Sequence, residues 1–156
     1  MRETPDRVGI DREGGRVAEF LRGVVPASVA RRSVTVSLSV ERRRLPAGAP
    51  VPFAVEIRNR LPVSIAVPTP THRLWTWAVD DYREGTDEAV HTSGEGYLRL
   101  RGRERRRIDR EWNGLIGKTR DGRTRWVDPA PGTHELRVWV ATDPPCASDS
   151  VRLELH

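Results

Sequence analysis

Along most of the chain apolar residues return at every second position. In "VTVSLSVE" Val34, Val36, Leu38 and Val40 alternate with Thr35, Ser37, Ser39 and Glu41, the pattern of a strand with one face buried. Phe53, Val55 and Ile57 repeat it, and Val63, Ile65 and Val67 follow a tight "NRLP" connection. "PTPTH" interrupts the sheet before "RLWTWAV", because proline cannot donate to a ladder. Leu98 and Leu100 then face one way and Arg99 and Arg101 the other. Ile108 points inward from a strand ending at Trp112, Leu136, Val138 and Val140 share a face, and Val151, Leu153 and Leu155 close the series. A further edge strand is expected at Glu88 to His91. Roughly seven to nine short strands separated by turn signals predict an antiparallel sandwich or barrel.

The first 32 residues read differently. Met1 to Arg12 is charged and expected to be a loose tail. From Gly14 the residues Val17, Phe20, Leu21, Val24 and Val25 recur at helical spacing, with Asp11 as a cap and Pro26 as a stop. The expected organisation is an N-terminal tail and amphipathic helix over 1–32 and an all-β, immunoglobulin-like antiparallel β-sandwich over 33–156.

Turn chemistry accounts for the glycines of "EWNGLIGKTRDGRTRWVDPAPGTHELRVWV". Asn113-Gly114 supplies positive φ, Asp121-Gly122 is a favoured hairpin turn, and "DPAPG" stops the chain before the strand His134 to Thr142. The glycine spacing fits neither a Walker loop nor a dinucleotide fingerprint.

"EWNG", "DG" and "APGTHELRVWV", together with "VEIRNRLPVSI", resemble small Ig-like domains, above all the BsuPI-type intracellular proteinase inhibitor domain. They are also similar to the Ig-like insert of flagellar hook-capping proteins and to uncharacterised domains of halophilic archaea. The likeness spans Ser33 to Leu155. His134 stands where those domains usually carry tyrosine, and a net charge of +5 departs from an acidic halophilic surface. The BsuPI resemblance implies an intracellular serine protease as partner, met by a presented loop. The long connection Asp80 to Gly96, with Tyr82 and Arg83 near its start, is the natural candidate.

Composition narrows the chemistry. Hydrophobic residues make up 37 % and charged residues 31 % of the chain, too apolar for disorder throughout. Cys146 is the only cysteine, which excludes an intramolecular disulfide and cysteine-based metal sites. No signal peptide or membrane span is read, so a cytoplasmic location is expected. His72, His91, His134 and His156 lack metal-ligand spacing, and no G-x-S-x-G elbow is present. Asp109 and Glu111, next to Arg107 and Arg110, read as ion-pairing partners. No catalytic residue, metal or cofactor is assigned.

Two binding surfaces remain. Trp139 falls on the face opposite Leu136, Val138 and Val140, together with Arg137. An outward tryptophan needs a cover, which either the helix (Phe20, Leu21, Val24) or a partner protein would provide. The expected function is a non-enzymatic protein-binding module using Trp139, Arg137, Tyr82 and Arg83. The alternative is nucleic-acid binding through Arg99, Arg101, Arg103, Arg105 and Arg107. In "RLWTWAV" the tryptophan face is expected to be the core. The oligomeric state is left open.

Overall fold

A computed structural model describes residues 25–88 and 94–156. Its elements in chain order are α1 (Ala27–Ser33), β1 (Val34–Val40), β2 (Arg44–Leu45), β3 (Val51–Asn59), β4 (Ile65–Thr69), β5 (Trp75–Val79), β6 (Tyr82–Arg83), β7 (Gly96–Leu100), β8 (Arg105–Trp112), β9 (Ile116–Arg120), β10 (Arg123–Val127), β11 (Gly132–Val140) and β12 (Ser148–Leu155). One sheet has the order β1-β3-β8 and the other β2-β12-β11-β5-β6, with β4-β7 and β9-β10 as separate pairs. All pairings are antiparallel except β2 beside β12, where Leu45 aligns with Leu155. The fold is an immunoglobulin-like β-sandwich.

The period-two pattern explains how the sheets meet. Val36, Leu38 and Val40 align with Ile57, Val55 and Phe53, and Val55 aligns with Ile108. From the second sheet Leu136, Val138 and Val140 align with Val79, Trp77 and Trp75, so the tryptophan face of β5 is the inner one, as its sequence predicts. Phe53 meets Trp77 edge-on at 5.3 Å, linking the two sheets. Trp112, only 1 % exposed, is the largest fully buried side chain, and its Nε1–H donates to the Leu115 carbonyl at 2.8 Å.

The turns follow their residues. Asp121 and Gly122 both have positive φ (52° and 73°), as a two-residue hairpin loop requires. Gly114, at φ 81°, follows Asn113, whose Oδ1 accepts the Leu115 N–H. A Cβ on Gly114 would meet the Ala49 carbonyl, so a loop crossing occupies the space a side chain would need.

Two expectations are corrected and two fall largely outside the described residues. The helix expected up to Val25 lies mostly outside the described residues, and the helix present is α1, which follows Pro26. Proline lacks only an N–H that a first turn leaves unpaired, and its carbonyl accepts the Val29 and Ala30 N–H groups at 2.9 Å each. Ala30 is fully buried in the common core, so α1 packs as part of the sandwich. Pro68 does not end its strand. It pairs with Tyr97 within a two-stranded ladder whose outer edge asks for no donor. The connection from Asp80 to Gly96 is shorter than it reads: Tyr82-Arg83 forms β6, and Thr86 bridges to Gly117. The edge strand expected at Glu88 to His91 lies largely outside the described residues.

Asn59, at the end of β3, is completely buried. Its Nδ2 donates to the Val63 carbonyl at 2.8 Å and the Arg101 carbonyl at 2.9 Å, and its Oδ1 accepts the Leu61 N–H at 3.0 Å. Asn59→Leu keeps the volume but strands these three groups. It is expected to lower the unfolding free energy by about 3 kcal/mol, given roughly 1–3 kcal/mol for each orphaned buried group after partial relaxation. Urea denaturation followed by tryptophan fluorescence measures the loss, and a change within 0.5 kcal/mol would contradict it.

Candidate binding surfaces

Strand β11 carries Leu136, Val138 and Val140 on its inner face, all 0 % exposed, so alternation sends Arg137 and Trp139 to the outer face. Across the sheet Arg137 aligns with Ala78, and Ala78 with Arg83. The small Ala78 between the two arginines leaves room for both guanidinium groups to turn toward the indole. Cζ of Arg137 lies 4.5 Å and Cζ of Arg83 5.7 Å from the Trp139 ring centroid, within cation–π range. Trp139 is 8 % exposed while both arginines are exposed. The two guanidinium groups lie over part of the aromatic ring. Whether Phe20, Leu21 and Val24 contribute to the cover lies outside the described residues.

Tyr82 does not join this group. It aligns with Val79, which places it on the inner face, half-buried against the core. Its neighbour Arg83 takes the outer face, so two residues adjacent in sequence serve opposite sides of the sheet.

Asp80, Asp81 and Glu135 border the arginine–tryptophan surface and help to line a depression of about 480 Å³. Asp80 holds this border in place. Its N–H donates to the Glu135 carbonyl at 2.8 Å, its Oδ1 accepts the Glu135 N–H at 2.9 Å, and its Oδ2 lies 2.6 Å from His134 Nδ1. His134 Nε2 is in turn 2.6 Å from the Ala130 carbonyl oxygen. Both ring nitrogens face acceptors, a geometry that only the doubly protonated imidazolium satisfies fully. Burial works to depress the His134 pKa, but the Ala130 carbonyl, the Asp80 carboxylate and the charge of Glu154 outweigh it and raise the value.

The five arginines expected to form a nucleic-acid surface are exposed but divided. Arg99 lies over Tyr97 on the β4-β7 pair, with Cζ 5.4 Å from the ring centroid. Arg101 and Arg103 sit in the corner between β7 and β8, where Arg103 donates to the Arg60 carbonyl. Arg105 and Arg107 lie on the outer face of β8 opposite Arg58 and Glu56. Acids occupy part of the same region. Glu104 accepts the Arg101 N–H at 3.0 Å and pairs with Arg106 at 2.8 Å; the Arg101 hydrogen bond above all lowers its pKa, and with the Arg106 charge it outweighs the opposing effect of burial. Arg107 pairs with Asp109 at 3.3 Å, the ion pair expected from their spacing.

A cleft that sequence reasoning missed opens where the sheets part. His72, Arg73, Leu74, Trp75, Trp77, Glu84 and Arg110 line about 510 Å³. Arg73 pairs with Glu84, and Arg110 Cζ lies 5.5 Å from the Trp75 ring centroid. The period of β8 contained the signal: two positions beyond the inward Ile108, Arg110 must also point inward. Among the described residues no group of three His, Cys, Asp or Glu gathers in a metal-binding arrangement, and no helix is long and apolar enough to cross a membrane.

The His134 clamp carries a pH dependence. Its folded pKa is raised above the unfolded value of about 6.5, so its contribution to stability is complete below about 6.5 and is lost as pH rises through the folded pKa. Melting temperatures measured from pH 6 to 9 are expected to fall more steeply for the wild type than for His134→Gln; superimposable profiles would contradict the clamp.

Several solved structures are similar to this chain over most of its length. A β-glucosidase from Erythrobacter marinus is 14 % identical with a TM-score of 0.50, over 80 % of this chain and 15 % of that one. The sporulation control protein Spo0M from Bacillus subtilis is 13 % identical with a TM-score of 0.48, over 80 % and 49 %. The CARDB domain of a Pyrococcus furiosus protein, solved in complex with di-metal ions, is 8 % identical with a TM-score of 0.47, over 78 % and 91 %. The chain spans only 15–16 % of the length of the β-glucosidases it matches, and at these identities the likeness is one of fold. Among curated proteins nothing matches. The sequence model of DUF7974, a family of unknown function, matches residues 22–156, and the chain belongs to that family.

Proposed function

We propose that this domain is a non-enzymatic module that binds another protein through the outer face of its five-stranded sheet. The observation that carries the reading is the stacking of Arg83 and Arg137 on Trp139. Arginine and tryptophan are the residue types that dominate interface energetics. Here both guanidinium groups already lie near the indole before a partner arrives, so less side-chain entropy remains to be lost on binding. The Asp80–His134 clamp fixes the turn beside them, and the acidic border of Asp80, Asp81 and Glu135 adds selectivity for a partner with a matching cation. With a single cysteine the domain suits a reducing compartment such as the cytoplasm.

The finer reading, inhibition of an intracellular serine protease, rests on the BsuPI resemblance. Much of the segment it would use, from Asp80 onward, is tied into the fold by β6 and the Thr86–Gly117 bridge. The protein-binding reading therefore places the contact on the sheet face rather than on a presented loop.

Affinity capture from the native lysate, washed at low and high salt, tests this function. A partner retained by the wild type is expected to lose at least about thirtyfold in affinity with Arg83→Glu and Arg137→Glu combined, corresponding to a hot spot of roughly 2 kcal/mol. Thermal melting checks that the variant remains folded. Undiminished binding by the folded double variant would move the interface elsewhere.

A further inference from the structure

The β9-β10 hairpin concentrates charge on one face. Lys118 aligns with Arg125, and Arg120 with Arg123. Positions two apart on a strand share a face, so all four side chains stand on the same side of the ribbon. The cross-strand pairs set the Cβ atoms of like-charged residues about 5 Å apart and those of neighbouring pairs about 7 Å apart. All four residues are exposed. Among the described residues none of them takes part in a salt bridge.

The opposite face is built from different material. Thr119 and Thr124 share a hydroxyl hydrogen bond at 2.9 Å, Thr124 lies 3.4 Å from the Glu88 carboxylate, and Trp126 rests over Gly117, 46 % exposed. Backbone bonds fasten the base of the ribbon: Gly117 N–H to the Gly85 carbonyl at 2.7 Å and Asp87 N–H to the Gly117 carbonyl at 3.0 Å. The Asp87 carboxylate accepts the Thr119 N–H at 2.6 Å. The cationic face is thus displayed by a braced element.

We propose that Lys118, Arg120, Arg123 and Arg125 form a contact surface for the phosphate backbone of double-stranded nucleic acid. Like charges placed directly opposite each other destabilise a ladder, and a polyanion relieves that repulsion. A two-stranded ribbon is one of the protein elements that the duplex major groove admits. The hairpin's one tryptophan lies on the other face, which favours a duplex over single strands, where bases must stack on aromatics beside the cations. A bilayer is disfavoured too, because the apolar residues on the charged face, Ile116 and Val127, lie at its base, buried and half-buried, and none is exposed for insertion. Recognition is of backbone charge, without sequence preference. This surface is distinct from both the Trp139 face and the arginines of β7 and β8.

The test is fluorescence anisotropy of the full chain with a short labelled DNA duplex of mixed sequence, from about 50 to about 200 mM salt. The wild type is expected to bind, with affinity falling steeply as salt rises. The combined K118Q, R120Q, R123Q and R125Q variant is expected to lose at least about tenfold in affinity at the lowest salt, with the slope of log K against log salt flattened by up to about 3.6. A variant with Arg99, Arg101, Arg105 and Arg107 changed to glutamine should bind within about threefold of the wild type. No wild-type binding to the duplex at low salt, or unchanged binding by the folded hairpin variant, would overturn the proposal. So would tighter binding to single-stranded DNA or to vesicles rich in anionic lipid than to the duplex.

Discussion

Asn59 occupies the point at which this sandwich has to branch. Strand β3 is the centre of one sheet, and the chain leaving it must cross to the separate β4-β7 pair and return to lie beside β3 as β8. Backbone groups at such a corner have no ladder partners, and burial without partners is costly. A fully buried asparagine resolves this by bonding to Leu61 and Val63 on the outgoing side of the excursion and Arg101 on the returning side. Gly102 completes the corner, since a Cβ there would strike the Pro62 carbonyl. The Asn59 N–H also donates to the Glu104 carbonyl at 2.9 Å, which starts the β3-β8 ladder in register. From that register follow the approach of Ile108 to Val55, the seating of Trp112 beside Val51 and the inward direction of Arg110.

The inward arginines of β8 illustrate a second constraint. An edge strand with a wholly apolar inner face and an open ladder invites a second copy, and inward-pointing charge is one of the ways to prevent this. Arg106 and Arg110 align with Ile57 and Phe53, positions where a central strand would carry aliphatic residues. Each finds a partner at the rim, Glu104 for Arg106 and the Trp75 ring for Arg110. A flat guanidinium stacks on an indole and still reaches water through its edge, as a lysine ammonium does less well. The chain uses this arrangement repeatedly: on Trp75, on Tyr97 and doubly on Trp139. Its wealth of arginine therefore has a structural use that net charge alone does not reveal.

Strand positions and faces were legible because a residue's face depends only on parity. Val34–Val40, the inner face of β5 and the Asp121-Gly122 hairpin follow directly from local pattern. Sheet membership was not legible, because pairing β2 with β12 or β5 with β11 depends on residues far apart in sequence. The arginines show the same limit. Arg99 to Arg107 look continuous in the chain, yet the turn at Gly102 distributes them over different surfaces, while Lys118, Arg120, Arg123 and Arg125 are gathered by a two-residue turn. The Trp139 face lay between these cases: parity placed Arg137 beside the tryptophan, but only the β5-β6 turn, held by Asp80, brings Arg83 within reach and turns Tyr82 away.

Several arginines outside the hairpin have specific partners. Arg73 has Glu84, Arg106 has Glu104, Arg107 has Asp109, and Arg83, Arg99, Arg110 and Arg137 have rings. The hairpin goes further than the single Arg58–Arg105 pair of the β3-β8 ladder: two successive pairs of cations face one another, while Asp87 is engaged by a backbone amide and Glu88 approaches the threonine face. The repulsion between its strands is countered by local means: a turn whose residues already favour the required φ, a threonine pair and the strap formed by residues 85–87. Neutralising the four cations should therefore relieve strain in the ladder rather than unfold it. That separates a surface kept for binding from a surface required for the fold, and it makes the hairpin the part of this domain where function and stability pull in opposite directions.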